Sequence, residues 1–275
     1  GTAGPTASGP ARGTTTGTAG PQASTPAGSG PATAPPSGDT TATSDSAAPV
    51  PGGSVTAKPL RGKRIVIDPG HNENNYRHVS QINRQVDVLT KRKACDTTGT
   101  STNDGYSEAA FTWDVSQKLK AILEARGAQV KLTRNRNTPY GPCITERART
   151  GKGWADAAVS VHADGAGTAS RGFHVIIPKK IGGPVDPVVA GSEKLGLAVR
   201  KAFRSGTGLP YSNYIGRDAL SYRDDLGGLN LSTVPKVFIE CGNMRNATDA
   251  RLFKDPSFRK KIALSLANGL QDHLT

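Results

Sequence analysis

Aromatic residues make up only 5% of the chain, too few to serve as stacking platforms among its basic residues, and no recognised nucleic-acid-binding motif occurs. Those two absences argue against nucleic acid as the partner of a protein with 35 Lys and Arg against 22 Asp and Glu. No apolar run approaches the roughly 20 residues that cross a bilayer, so no membrane span is expected. No charged-then-apolar segment stands at Gly1; an export signal would have been removed or would lie outside this sequence. Internal repeats are missing. So is the H-E-x-x-H segment that a helix-borne zinc protease requires.

Residues 1–57 are almost wholly Gly, Ala, Pro, Ser and Thr. Such a stretch cannot bury enough apolar surface to offset its chain entropy, and a disordered linker is expected. From Lys58 to Thr275 apolar runs alternate with Gly-rich turns, which suits a single folded domain over 58–275. The net charge is +13, and the first 57 residues carry one Arg against two Asp, so the surplus lies in the folded part. A surplus of that size fits an anionic environment such as cell-envelope polymer.

Cys95 and Cys143 sit in polar, loop-like sequence, whereas Cys241 closes an apolar run. A Cys95–Cys143 disulfide with Cys241 buried and free is the expected arrangement, in an oxidising compartment. Three reduced thiols is the alternative, because sequence alone fixes no pairing.

Strands are expected at residues 64–68, 129–133, 157–161, 172–178 and 236–240, each a short β-branched or apolar run ended by a turn signal. Helices are expected at 108–125, 144–151, 188–204 and 257–274. Their alternation predicts an α/β domain with a mixed, mainly parallel twisted sheet and helices on both faces. Residues 72–107 form a long polar connection, read as a flap over a cleft.

Four segments then stand out: Ile67-Asp68-Pro69-Gly70-His71, Gly105-Tyr106-Ser107-Glu108, Val159-Ser160-Val161-His162-Ala163-Asp164 and Val237-Phe238-Ile239-Glu240-Cys241-Gly242-Asn243. Each places one His or Glu at a strand end or helix start. Together they supply two imidazoles, a carboxylate ligand and a spare carboxylate. That is the residue set of a hydrolytic zinc site, in which three protein ligands leave a position for water and an unligated carboxylate moves the proton.

From about Arg61 onward the sequence resembles the zinc-dependent N-acetylmuramoyl-L-alanine amidases, which cleave peptidoglycan. The likeness implies that His71, Glu108 and His162 hold zinc and that Glu240 is the general base. It is greatest to the mycobacterial type, shared also in Gly99-Thr100-Ser101-Thr102-Asn103, Phe111-Thr112-Trp113, Gly141-Pro142-Cys143, Glu146-Arg147-Ala148, Arg171-Gly172-Phe173-His174-Val175 and Asn213-Tyr214-Ile215-Gly216. That type carries a disulfide joining the segments that hold Cys95 and Cys143.

The resemblance implies a secreted, periplasmic or cell-wall enzyme, acting on peptidoglycan or muropeptides in wall remodelling or daughter-cell separation. A monomer is expected. Arg217, Arg223 and Arg245 are candidates for substrate carboxylates, Asn230 and Asn243 for substrate amides, and His174 for packing in its apolar strand. The rival readings are a catalytically inactive peptidoglycan-binding module of the same fold, another zinc amide hydrolase, and a basic nucleic-acid binder.

Overall fold

The computed structural model describes residues 58–275; the linker expected over 1–57 lies outside the described residues. In chain order the strands are β1 (Arg64–Pro69), β2 (Gln85–Asp87), β3 (Arg92–Ala94), β4 (Gln129–Leu132), β5 (Ala157–Asp164), β6 (His174–Pro178), β7 (Leu220–Arg223) and β8 (Lys236–Asn243). Six of them form one sheet in the order β4-β1-β5-β8-β6-β7. Every pairing is parallel except β6 with β8. The mixed, mainly parallel sheet expected from the alternation of elements is the one present. β2 and β3 pair separately as an antiparallel hairpin.

The helices are α1 (Val79–Asn83), α2 (Glu108–Ala125), α3 (Ile144–Arg149), α4 (Val189–Thr207), α5 (Gly227–Asn230), α6 (Ala247–Lys254) and α7 (Pro256–Leu274). Ser107 caps α2 by accepting a hydrogen bond from the Ala110 amide, which satisfies one of the free donors of its first turn. Successive side chains of a strand point to opposite faces. On the first face Ile65, Ile67, Val159, Val161, Val175, Ile177, Val237 and Ile239 pack against Phe111, Leu119, Leu195, Phe203 and Leu266 in one continuous core. The long helices α2, α4 and α7 cover it.

The second face is unlike the first. Its apolar cluster is small, built on Val66, Ala158 and Val234, and α3 and α5 cover it as a packed pair. The intervening strand positions there are Asp68, Ser160, His162, Lys236, Glu240 and His174. Asp68, Ser160, Lys236 and His174 are each at most 1% exposed. One face of the sheet stabilises the domain by burying apolar area; the other gathers polar groups at the strand ends.

Residues 72–107, read from the sequence as a flap over a cleft, hold α1 and the β2–β3 hairpin. The hairpin docks on the segment around α5: Asn230 Nδ2 donates to the Val88 carbonyl at 2.8 Å and Thr90 Oγ1 to that of Asp224 at 2.7 Å. Cys95 and Cys143 form a disulfide across 48 positions, tying the end of the hairpin segment to the start of α3, and Cys241 is buried and free. A cross-link closing a loop of that length restricts the unfolded chain and contributes about 2–5 kcal/mol. Chemical denaturation with and without a thiol reductant is expected to show a loss of that size.

Candidate metal centre

Three segments converge where β1 and β5 end. His71 follows β1 after one glycine and has φ 58, a left-handed conformation uncommon for a residue with a Cβ. His162 lies in β5 on the polar face. Glu108 opens α2, where the helix dipole favours a carboxylate, and it is only 4% exposed. One ligating atom from each lies within 4.8 Å of the others. Gly70 permits this approach, because a Cβ there would stand 2.3 Å from Cε1 of the His162 ring. Phe238 stacks on the same ring, with centroids 5.1 Å apart and planes 5° from parallel.

For neutral rings, hydrogen-bond direction assigns which nitrogens carry protons. Nδ1 of His71 lies 3.0 Å from the Thr97 carbonyl oxygen, which can only accept, so Nδ1 donates and Nε2 keeps its lone pair. That lone pair faces Glu108 Oε2 at 3.1 Å. Ser160 Oγ donates its one proton to Asp68 Oδ2 at 2.8 Å, so it can only accept from Nε2 of His162, 3.1 Å away. Nδ1 of His162 therefore turns a lone pair toward Glu108 Oε1, at 3.0 Å.

Two imidazole lone pairs and a carboxylate facing one another repel unless a cation lies among them. Two neutral nitrogens and a carboxylate oxygen are suitable donors for a divalent transition metal. In the absence of metal the site draws a proton instead. Burial opposes a charge on His71, but Glu108 and Asp96 outweigh it and raise its pKa to about 10. The His71, Glu108 and His162 cluster thus fits a metal site.

Glu240 is the cross-strand neighbour of His162 in β5 and of His174 in β6. Such neighbours share a face, so His162, Glu240 and His174 form a row across three strands. Oε2 of Glu240 is buried with no hydrogen-bond partner among the described residues. Burial, reinforced by Glu108 and Asp164, pushes its carboxyl well above the ordinary range. Burial also holds His174 down to about 4, so this imidazole is neutral, and its Nδ1 has no partner. The Tyr214 hydroxyl donates to Asp164 Oδ2 at 2.9 Å. A cleft of about 300 Å³ opens over His162 and Glu240, lined among others by His71, Glu108, Asp164 and Arg223.

The substrate-contact candidates fare differently. Asn230 and Asn243 are fully buried. Asn230 Nδ2 donates to the carbonyls of Val88 and Asp224. Asn243 Nδ2 donates to those of Gly167 and Ser170, while its Oδ1 accepts from the Arg245 amide. Both side-chain nitrogens hold loops in place, and Asn230 Oδ1 has no partner among the described residues. Arg217 and Arg245 are exposed and lie outside the residues lining the cleft. Arg223 lines it, with its guanidinium held by Asp225 at 2.7 and 2.8 Å. Asp68, Asp96, Thr97, Arg147 and Ser160 surround the two imidazoles; Asp68 and Ser160 stand inside the segments that carry His71 and His162, and Arg147 inside Glu146-Arg147-Ala148, yet neither residue type nor spacing marks them as partners of a ring.

Residues 65–272 match the family described as N-acetylmuramoyl-L-alanine amidase. The chain is 38% identical over 217 residues to N-acetylmuramoyl-L-alanine amidase Rv3717 of Mycobacterium tuberculosis, covering 78% of this chain and 88% of that protein. It is 25% identical to the probable cell wall amidase LytH of Staphylococcus saprophyticus, over 80% of this chain and 61% of that relative's length. Among solved structures, the N-acetylmuramyl-L-alanine amidase Ami1 of Mycobacterium smegmatis superposes with a TM-score of 0.73 at 36% identity, covering 78% of this chain and 98% of that one. A family match across nearly all of the described residues, joined to a clustered His-Glu-His donor set, establishes that the chain belongs to the N-acetylmuramoyl-L-alanine amidase family.

Proposed function

We propose that this protein hydrolyses the amide between the lactyl group of N-acetylmuramic acid and the L-alanine that begins the stem peptide. In this reading His71, Glu108 and His162 hold zinc, and Glu240 is the general base. Bound there, zinc supplies Lewis acidity toward water and the scissile carbonyl. The observation that carries the reading is the buried, unpartnered Oε2 of Glu240, on the same face as His162 and lining one cleft with all three candidate ligands. A carboxylate left without a donor, in a surrounding that raises its proton affinity, is placed to take a proton from water rather than to make a structural bond.

As the water oxygen forms its bond to the carbonyl carbon, Glu240 accepts the water proton. It then returns that proton to the alanine nitrogen as the C–N bond breaks, so the products are a lactyl carboxylate and a free amine. Glu108 acts as a ligand and not as a second base, because its two oxygens are directed at His71 and His162. Arg223 supplies positive charge in the cleft for a stem-peptide carboxylate. A wall substrate and a disulfide together support a location outside the reducing cytoplasm, in the periplasm or cell wall.

Mass analysis of digested peptidoglycan is expected to find intact glycan strands and peptides that begin with L-alanine; cleavage only between sugars or within the peptide would refute the assignment. Glu240→Gln is expected to bind zinc as the parent does while turnover falls by roughly 10²-fold or more. Undiminished turnover would remove Glu240 as the base. Gly70→Ala drives a methyl group into the His162 ring, and its zinc affinity, measured against a competing chelator, is expected to fall by at least about tenfold.

A further inference from the structure

Behind the two imidazoles, on the polar face of the sheet, lies a buried cluster to which the proposed reaction assigns no part. Asp68 is at its centre. Its Oδ1 accepts from Thr133 Oγ1 at 2.6 Å and Arg147 Nη1 at 3.0 Å; its Oδ2 accepts from Ser160 Oγ at 2.8 Å and Lys236 Nζ at 3.1 Å. Arg147 is 4% exposed. Besides Asp68 it donates to Asp96 Oδ2 at 2.9 Å and to the carbonyls of Pro69, His71, Gly141 and Pro142 at 2.6 to 3.0 Å. Two carboxylates are thus balanced by two cations, Arg147 and Lys236, with the hydrogen bonds that burial of such charges demands.

We infer that the Asp68–Arg147 pair is a single positioning unit for both imidazoles of the metal site, reaching His162 through Ser160 and His71 through Asp96 and the His71 carbonyl. The inference rests on the reading that these imidazoles hold a metal. Asp68 fixes the direction of the Ser160 hydroxyl, since a carboxylate only accepts. Ser160 must then accept from Nε2 of His162, and the free lone pair appears on Nδ1, toward Glu108. On the other branch Arg147 grips the carbonyls on either side of Gly70 and so holds the left-handed backbone of His71. It also anchors Asp96, whose Oδ1 stands 3.5 Å from Nδ1 of His71, beside the Thr97 carbonyl that accepts the proton of that nitrogen.

One buried pair therefore dictates which nitrogen each ring offers to the cation, although one ring follows β1 and the other lies in β5. Outer partners of this kind set ring orientation and ligand basicity, and their loss weakens metal binding by roughly 10- to 100-fold. Asp68 and Arg147 touch neither metal nor substrate in this account; they act through the rings.

The test uses the full chain and the variants Ser160→Ala, Asp68→Asn, their combination, and Arg147→Lys, which keeps the charge but loses the fork. Three quantities are read: zinc affinity against a chromophoric chelator, the visible spectrum of the cobalt(II)-loaded protein, and the melting temperature of the metal-free protein. Each single variant is expected to lose zinc affinity by about 10- to 100-fold with a changed cobalt spectrum. Adding Ser160→Ala to Asp68→Asn is expected to cost nothing further, because the aspartate reaches His162 through the serine, whose orientation is already lost in Asp68→Asn. Should Arg147→Lys fail to fold, Ser160→Ala, which removes one buried oxygen, carries the test alone. Parental zinc affinity and cobalt spectrum with only a lowered melting temperature would overturn the inference, as would additive losses in the double variant. Failure of the parent to take up zinc would instead refute the metal reading on which the inference rests, and the two failures are told apart by the parent alone.

Discussion

A strand cannot send two successive side chains to the same face, and in β1, β5 and β8 that constraint separates stability from chemistry residue by residue. Ile65, Ile67, Val159, Val161, Val237 and Ile239 enter the main core, while Asp68, Ser160, His162, Lys236 and Glu240 are sent to the opposite side. Because β1, β5 and β8 are parallel neighbours in register, the polar positions align in rows instead of scattering. His162 beside Glu240 is one row; Asp68 beside Ser160 is the row behind it. A shift of one residue in any of these pairings would carry an imidazole or a carboxylate into the apolar core, so the packing of the first face enforces the geometry of the second.

The parts legible in the sequence were those whose signal is local. His71, Glu108, His162 and Glu240 each follow or end a recognisable apolar run or begin a capped helix, and their chemistry is written in the residue type. Fold class was legible for the same reason, since strands such as Ile65 to Ile67 and helices such as α2 declare their period within a few residues. β7 and the β2–β3 hairpin were not, being three or four residues long and mostly polar, too short to show a period. The contacts of Asn230 and Asn243 were not legible either, because an amide near a site looks available until its partners are known, and those partners, Val88 and Gly167 among them, are distant along the chain. The Asp68–Arg147 pair is hidden on the same ground: the direction of a hydrogen bond depends on which acceptor stands opposite, which one strand cannot reveal.

Two glutamates in one cleft are pushed in opposite directions by their surroundings. Glu108 is buried, which by itself would favour the neutral acid, yet the imidazoles of His71 and His162 outweigh burial and hold its carboxyl below the ordinary range. Glu240 is also pushed first by burial, but its neighbours Glu108 and Asp164 are acidic and drive it the same way, upward. The difference lies in the partner each faces and not in depth. A group that stays ionised against two nitrogens is suited to hold a cation, and one whose charge is opposed by every close carboxylate is suited to accept a proton. A cation among His71, Glu108 and His162 would offset the carboxylate charge that raises Glu240 more than any other neighbouring charge; under the proposed function that would bring its proton affinity toward the range where it could both take a proton from water and give it up to an amine. In the proposed function, metal binding and proton transfer would in this way be coupled through Glu108, a candidate ligand whose charge acts on Glu240.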